Sequence, residues 1–450
     1  MRSFSKTGRG DKVPSDVLPG VAYRSYFLFI MVLVSACVVS ERYVLFVLVE
    51  PIRHDLGLSD FQIGLVKDLA LAIVYIIAVV PFARLSDTWS KKGIVAGAAA
   101  VWSVSVLVCA AAKNFWVLLI GRAGIGMGDG AFTPPSQAWI ADLFPPRQRG
   151  TALSIFLLGA SIGSFAGPAL GGWAAHALGW RNVLLLASIP GFVLAPIVRF
   201  TLRDVRPGLA DGSTPTHLVR KPFGKVFREL MAMRTFPALV IASSLNALLT
   251  MGMISWAPAF MERSHGMAVR DAGVQMGGAL FIGSLIGHLA GGPLADLLGR
   301  RNERWYLWIP MGSSACATIV GLAILTGPAE WVFPLFGLQL LIGGLSAAPL
   351  MAVVTGLAPI SSRATAVAIL MVAINVIGLG CGPVLVGWLS DVLRPLYGES
   401  SLGMAMRWSL LAGVPSTLLA YMASRSYRTD ALTARLRLAR ADTLPTDFGS

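Results

Sequence analysis

Twelve apolar runs, each near the 20 or so residues that a helix needs to cross a bilayer, recur along the chain with polar connections between them. They read as Tyr26–Leu48, Ile63–Phe82, Gly93–Ala112, Phe115–Leu143, Thr151–Leu178 and Asn182–Val198, then Phe236–Met261, Val274–Leu297, Trp305–Leu325, Trp331–Leu357, Ala364–Leu389 and Trp408–Ser424. Inside lipid a backbone must satisfy its own hydrogen bonds, so such runs form helices. Charged residues are only 13% of the chain, about half the share that covers a soluble domain. Much of the surface must therefore face lipid. The expected fold is an all-α membrane protein of twelve transmembrane helices in two pseudo-symmetric six-helix bundles.

The net charge of +14 is a statement about topology. Nearly all of the excess falls in the N-terminal tail, in alternate connections and in the C-terminal tail, while the other connections are close to neutral. Positive loops stay inside, so both termini are expected in the cytoplasm, as in a plasma-membrane or bacterial inner-membrane protein. The basic charge is absorbed by this pattern and implies no nucleic acid. Arg2, Lys6, Arg9 and Lys12 precede the first run as in a signal peptide. That run is too long, and holds Glu41 and Arg42, so it reads as a membrane span.

The divisions expected are a tail at 1–25, a first bundle at 26–199, a linker at 200–235, a second bundle at 236–424 and a tail at 425–450. The linker carries Pro207, Gly208, Gly212, Pro215 and Pro222, and Lys221–Arg234 has the pattern of a short amphipathic helix on the inner membrane surface. The basic C-terminal tail reads as partly disordered. Cys37, Cys109, Cys316 and Cys381 all lie in apolar runs, where isolated thiols are packing residues rather than disulfide or metal ligands. No metal-ligand spacing, nucleophile motif or phosphate-binding glycine loop is present, so neither an enzyme nor a metal or cofactor is expected.

The halves echo each other at an offset of roughly 210 residues. Ala83-Arg-Leu-Ser-Asp87-Thr-Trp-Ser-Lys91-Lys92 follows the second run, and Gly292-Pro-Leu-Ala-Asp296-Leu-Leu-Gly299-Arg300-Arg301 follows the eighth. Gly163-xxx-Gly167-Pro168-xx-Gly171-Gly172 is echoed by Gly378-xxx-Gly382-Pro383, and Arg149-Gly-Thr-Ala by Arg363-Ala-Thr-Ala. Such duplication is common in transporters. The copy at 292–301 resembles the loop signature G-x-L-A-D-x-x-G-R-K/R of the major facilitator superfamily. The first copy departs from it at Ala83 and Ser90. Leu118-xxx-Arg122-xxx-Gly126-x-Gly128 and the Gly-Pro-xx-Gly-Gly run resemble that superfamily's fourth- and fifth-helix motifs. The resemblance implies that Asp87, Lys91, Asp296 and Arg300 latch the halves in one conformational state. An acid at a helix end can hold a neighbouring N-terminus or an arginine. Gly167 and Pro168 are expected to serve close packing.

Charges at mid-membrane cost about 2.5–3.5 kcal/mol by insertion scales, so each is a candidate for function. Three pairs occur, all in the first half: Glu41 with Arg42, Lys67 with Asp68, and Arg122 with Asp129. The interiors of spans seven to twelve contain none; Asp296 stands at the end of the eighth run. Arg122 and Asp129 are two turns apart, roughly 10 Å along the axis, and need partners elsewhere. Glu41 and Arg42 on the first helix can supply them. Arg122, as the deepest cation on the fourth helix, is expected to hold the anionic part of a substrate, with Tyr43 as a headgroup or proton-relay contact. Lys67 reads as snorkelling to the interface, and His288 as packing.

Glu41-Arg42-Tyr43 resembles the D-R-Y element of the Spinster family of lysolipid and sphingolipid transporters. The stretch 115–133 resembles that family's F-W-x-L-L-x-x-R-x-x-x-G-x-G-E-A-S-Y, with Asp129 in the place of its Glu. The resemblance implies a proton-coupled, alternating-access transporter of an amphiphilic lipid, expected as a monomer; the charge asymmetry of this chain independently fits a headgroup in the first half and a hydrocarbon tail in the second. The alternative is a proton-coupled symporter of small organic anions such as sugar acids, which would draw on Asn246, Gln339 and Asn375. A receptor or scramblase is the reading from another class.

Overall fold

The computed structural model describes residues 18–205, 209–211, 223–358 and 363–442, apart from a few side chains, Asp87 and Arg363 among them. Twelve long helices carry it. They are α1 (Val21–Val47), α2 (60–88), α3 (Lys91–Ala110), α4 (Phe115–Leu143), α5 (Pro146–Leu178), α6 (Trp180–Thr201), α7 (Thr235–His265), α8 (Val269–Gly299), α9 (Trp305–Thr326), α10 (Ala329–Leu357), α11 (363–397) and α12 (401–442). By length and hydropathy alone, ten segments among the described residues qualify as spans. The run 365–430 counts once although it holds two helices, and α4 is too polar to qualify. The chain is an all-helical, multi-pass membrane protein.

The helix ends extend past the apolar runs, and three differences matter. First, α7 continues beyond Met261 to His265 and closes on Gly266, whose φ of 63° is the left-handed C-terminal cap that favours glycine. Arg263 therefore belongs to a helix and not to a loop. Second, the tail beyond Arg425 continues α12 to Asp442, and its remainder, 443–450, lies outside the described residues. Third, α2 and α11 each contain a π-helical stretch, at Leu65–Leu69 and Ile374–Gly380. Between the halves, Phe223–Met231 forms a short helix with Val226 and Leu230 buried and Phe223 and Phe227 exposed, within the segment expected to be amphipathic.

The duplication is visible in the packing. Helix pairs α1–α5, α2–α4, α3–α4 and α3–α6 are repeated as α7–α11, α8–α10, α9–α10 and α9–α12. The halves meet mainly through α5 on α8 and α2 on α11. Small residues make this possible. A Cβ on Gly273 would overlap the Pro168 carbonyl, and one on Gly387 would overlap the Asp60 carbonyl. These close approaches lie toward the face opposite the termini.

Candidate functional site

Seven residues into α4, Arg122 is fully buried and every arm of its guanidinium is engaged. Nη1 donates to Glu41 Oε1 at 2.8 Å, Nε to the Val66 carbonyl at 3.1 Å and Nη2 to the Lys67 carbonyl at 2.6 Å. The two carbonyls belong to the π-helical stretch of α2. Widening the ladder to i→i+5 disturbs the usual backbone pairing and turns these oxygens toward α4. Glu41 Oε2 is buried and has no hydrogen-bond partner among the described residues. The expected pairing of α1 with α4 through Glu41 and Arg122 is thus present.

The neighbouring pair differs from expectation. Arg42 contacts Asp68 at 3.3 Å, and Asp129 makes no hydrogen bond or ion pair among the described residues. Arg42 and Asp129 instead line a cavity of about 230 Å³ together with Tyr75, Gln137, Thr133 and, from α11, Asn375. Arg122 does not line it. The cavity-facing cation is Arg42, one residue from the glutamate that neutralises Arg122. Tyr43 packs edge-on against Phe46, with ring centres 5.1 Å apart. Tyr75 was not singled out from sequence, because an aromatic residue in an apolar run has no distinguishing signal.

A second cavity, of about 190 Å³, lies in the other half. Its lining holds no charged residue; Asn246, Ser243, Ser314 and Ser346 stand among Leu239, Leu350, Met351 and Met371. Both cavities reach α11, the first at Asn375 and the second at Met371 and Ile374. Gln339 is buried between α9 and α10, donating to the Ala317 carbonyl at 3.1 Å. His288 is exposed, not packed in the interior, with Nδ1 2.7 Å from the Ser284 carbonyl.

Toward the face away from the termini, a polar cluster joins the halves. Arg263 of α7 grips two carboxylates of the first half, with Nη1 and Nη2 each 2.7 Å from Asp60 and Nε 2.8 Å from Glu50. All three side chains are less than a tenth exposed. Ser390 Oγ donates to Asp60 at 2.7 Å, and Asp391 accepts from the backbone N–H groups of Asp60 and Phe61 at 3.1 and 2.8 Å. The N-terminus of α2 is therefore capped by its own Ser59 and by an acid from the opposite half. Lys67, expected at the interface, is completely buried. Its ammonium donates to the Ser255 carbonyl of α7 and sits over the rings of Phe46 and Trp256, 5.0 and 4.7 Å from their centres. Sequence reading missed this cluster because Glu50, Asp60, Arg263 and Asp391 lie at span edges, where charge is ordinary.

Two of the residues expected to act as a latch, Lys91 and Asp296, contact their own halves. Lys91 Nζ is 3.0 Å from Asp142, and Asp296 accepts from the Tyr306 hydroxyl at 2.8 Å. Arg300 is exposed, and the side chain of Asp87 lies outside the described residues.

Two six-helix halves, cavities beside their interface and a charged site inside the first bundle define a secondary-transporter architecture. The Major Facilitator Superfamily profile matches residues 31–343, and the chain belongs to that family. It is 30% identical over 403 residues to an MFS-type efflux pump of Mycolicibacterium smegmatis, covering 89% of this chain and 92% of that protein. It is 23% identical to the protein spinster homolog 1 of Xenopus laevis, over 86% of this chain and 77% of that one. It is 24% identical to a probable galactarate/D-glucarate transporter of Bacillus subtilis, over 62% and 66% of the two chains. Its fold superposes with a TM-score of 0.83, at 24% identity, on a bacterial homolog of the human lysosomal transporter Spinster in an inward-facing, unoccupied conformation, covering 92% of this chain and 99% of that one. The chain is a major facilitator transporter with Spinster-like relatives.

Proposed function

We propose that this chain moves an amphiphilic, lysolipid- or sphingolipid-like molecule across the membrane by alternating access, coupled to protons. The observation that carries the reading is the contrast between the two cavities. One presents Arg42 and Asp129, which suit a phosphate-bearing or zwitterionic headgroup. The other is uncharged and mainly apolar, which suits a hydrocarbon tail. Both reach α11 at the neighbouring residues Asn375 and Ile374, and a single molecule would place its head in one and its tail in the other. Charge asymmetry of the loops supports termini in the cytoplasm. The face clamped by Arg263 is then the outer one, and the cavities belong to an inward-facing state of a monomer with bundles at 26–199 and 236–424. Asp87, Lys91, Asp296 and Arg300 would latch the opposite, outward-facing state.

Proton coupling is supported by two carboxylates with unused acceptors. Glu41 keeps an orphaned buried oxygen beside Arg122, and Asp129 faces the cavity near Arg42. Protonation of Asp129 would leave Arg42 freer to hold an anion. A second reading, symport of small organic anions such as sugar acids, draws on Asn246 in the second cavity and on the resemblance to the probable galactarate/D-glucarate transporter. Binding to purified protein in nanodiscs separates them. A lysophospholipid series should bind more tightly with each added CH₂, by up to about 0.8 kcal/mol, while glucarate should not compete. Competition by glucarate with no dependence on chain length would sink the lipid reading.

A further inference from the structure

One residue takes part in both the Glu41–Arg122 site and the interface between the halves. The Lys67 carbonyl receives Arg122 Nη2, and its ammonium reaches across to the Ser255 carbonyl of α7. It does so from the π-helical stretch of α2, beside Asp68, the partner of Arg42. The ammonium has no carboxylate within ion-pair distance among the described residues. One carbonyl and the faces of Phe46 and Trp256 are what it has. A leucine or methionine would fill this space without desolvating a charge, which is expensive inside a membrane. Trp256 in turn donates to the Pro383 carbonyl of α11 at 2.9 Å and lies under Arg263, whose guanidinium carbon is 5.8 Å from its ring centre. The contacts therefore run without a gap from Glu41 and Arg122, through Lys67 and Trp256, to the clamp of Arg263 on Glu50 and Asp60.

We infer that Lys67 is a positioning residue of the transport cycle: it ties the state of the buried Glu41–Arg122 pair to closure of the face opposite the termini. When Glu41 loses its hold on Arg122, the carbonyls of 66 and 67 lose their partner, the π-helical stretch shifts, and the ammonium leaves α7. The inference rests on the alternating-access reading, and its test uses no substrate, so either can fail alone.

Spin labels at Lys113→Cys and Ser264→Cys, both exposed on that face in opposite halves, report its opening. The full chain is placed in nanodiscs, with its four cysteines replaced. Lys67→Met keeps the bulk and removes the donor and the charge. It should raise the long-distance fraction at least fivefold. Lys67→Gln, which keeps a shorter donor, should give a smaller rise. Glu41→Gln should also lengthen the distance, but should add nothing in the Lys67→Met background, because neighbours that act through one element are not additive. A monodisperse Lys67→Met protein with the wild-type distance distribution overturns the inference, as do additive effects of the two substitutions. If Lys67→Met is not monodisperse, Lys67→Gln decides by the same two criteria, alone and combined with Glu41→Gln.

Discussion

In the first half, α1, α2 and α4 bring Glu41, Arg42, Lys67, Asp68, Arg122 and Asp129 together inside the bundle. The corresponding helices of the second half, α7, α8 and α10, meet through the same pairings, but the cavity there is lined by serine, asparagine and apolar side chains. A shared device makes the pairings equal. A Cβ on Gly126 would strike the Leu71 carbonyl between α4 and α2, and one on Gly287 would strike the Leu341 carbonyl between α8 and α10. Backbone approach was therefore conserved between the repeats, and ionic chemistry was not. The lesson is physical. Packing of two helices needs only small residues at the right spacing, whereas a buried charge needs a partner placed by a third helix. Arg263, a buried cation of the second half, is used at the interface with the first half.

The sharpest break of this contrast is removal of Arg122. Arg122→Ala leaves Glu41 unpaired and strips the Val66 and Lys67 carbonyls of their donor. Breaking a buried pair in this way costs about 3–5 kcal/mol. We expect a clear fall in the thermal unfolding temperature and no transport. Arg122→Lys keeps the charge but not the three-way fork, and should lose most transport. A stable, active Arg122→Lys protein would mean that the guanidinium geometry is dispensable.

The two halves should also respond differently when their contact is loosened. Arg263→Gln removes the clamp on Glu50 and Asp60 and should cut transport about tenfold, equal to about 1.4 kcal/mol in rate terms. A cysteine reporter beside Asp60 should become reactive from outside. Unchanged reactivity would show that Asp391 and the glycine contacts close that face alone. A smaller effect is expected within the cavity. Arg42→Gln should weaken binding of an anionic headgroup by one to two orders of magnitude, with stability changed by less than about 1 kcal/mol, since Arg42 is partly exposed. Asp129→Asn should flatten the pH dependence of transport more than it weakens binding; an intact pH profile in Asp129→Asn and Glu41→Gln together would remove the proton hypothesis.

Much of the fold was legible because lipid imposes it. Apolar runs of fixed length, alternating loop charge and repeated glycine motifs each follow from the solvent and from helix packing. The pairing of Glu41 with Arg122 was legible for the same reason, as mid-membrane charges must find each other. The partner of Arg42 was not. Arg42 could meet either Asp68 or Asp129, and the choice depends on the π-helical stretch at Leu65–Leu69, which no residue pattern announces. Lys67 was misjudged by depth. Counting from the start of its apolar run placed it one turn inside the interface. The helix begins at Asp60 and its first turn is covered by α11, so Lys67 faces protein and has no water to reach. Arg263 was lost by the opposite error, because a charge just beyond an apolar run looks like loop until the glycine cap is located.

The smallest expected effect separates the two substrate classes most cleanly. Asn246 lines the uncharged cavity, and its Oδ1 is buried with no partner among the described residues. Asn246→Leu removes that acceptor and adds apolar surface. If this cavity receives a hydrocarbon tail, the exchange relieves an unsatisfied polar atom and extends the apolar wall. Binding of a long-chain lysolipid should stay within about twofold or tighten, because burial contributes about 25 cal/mol per Å². If the cavity receives the hydroxyls of a sugar acid, Asn246 is one of few polar groups the second half can offer. Losing a hydrogen bond to a bound polar group then leaves the ligand's donor unpaired, at about 1–3 kcal/mol, and affinity for the acid should fall by at least fivefold. Calorimetry of both ligands on the wild-type and Asn246→Leu proteins gives the sign directly. A large loss of lysolipid binding would show that this half reads polarity, and would turn the contrast between the halves from charged against apolar into charged against hydrogen-bonding.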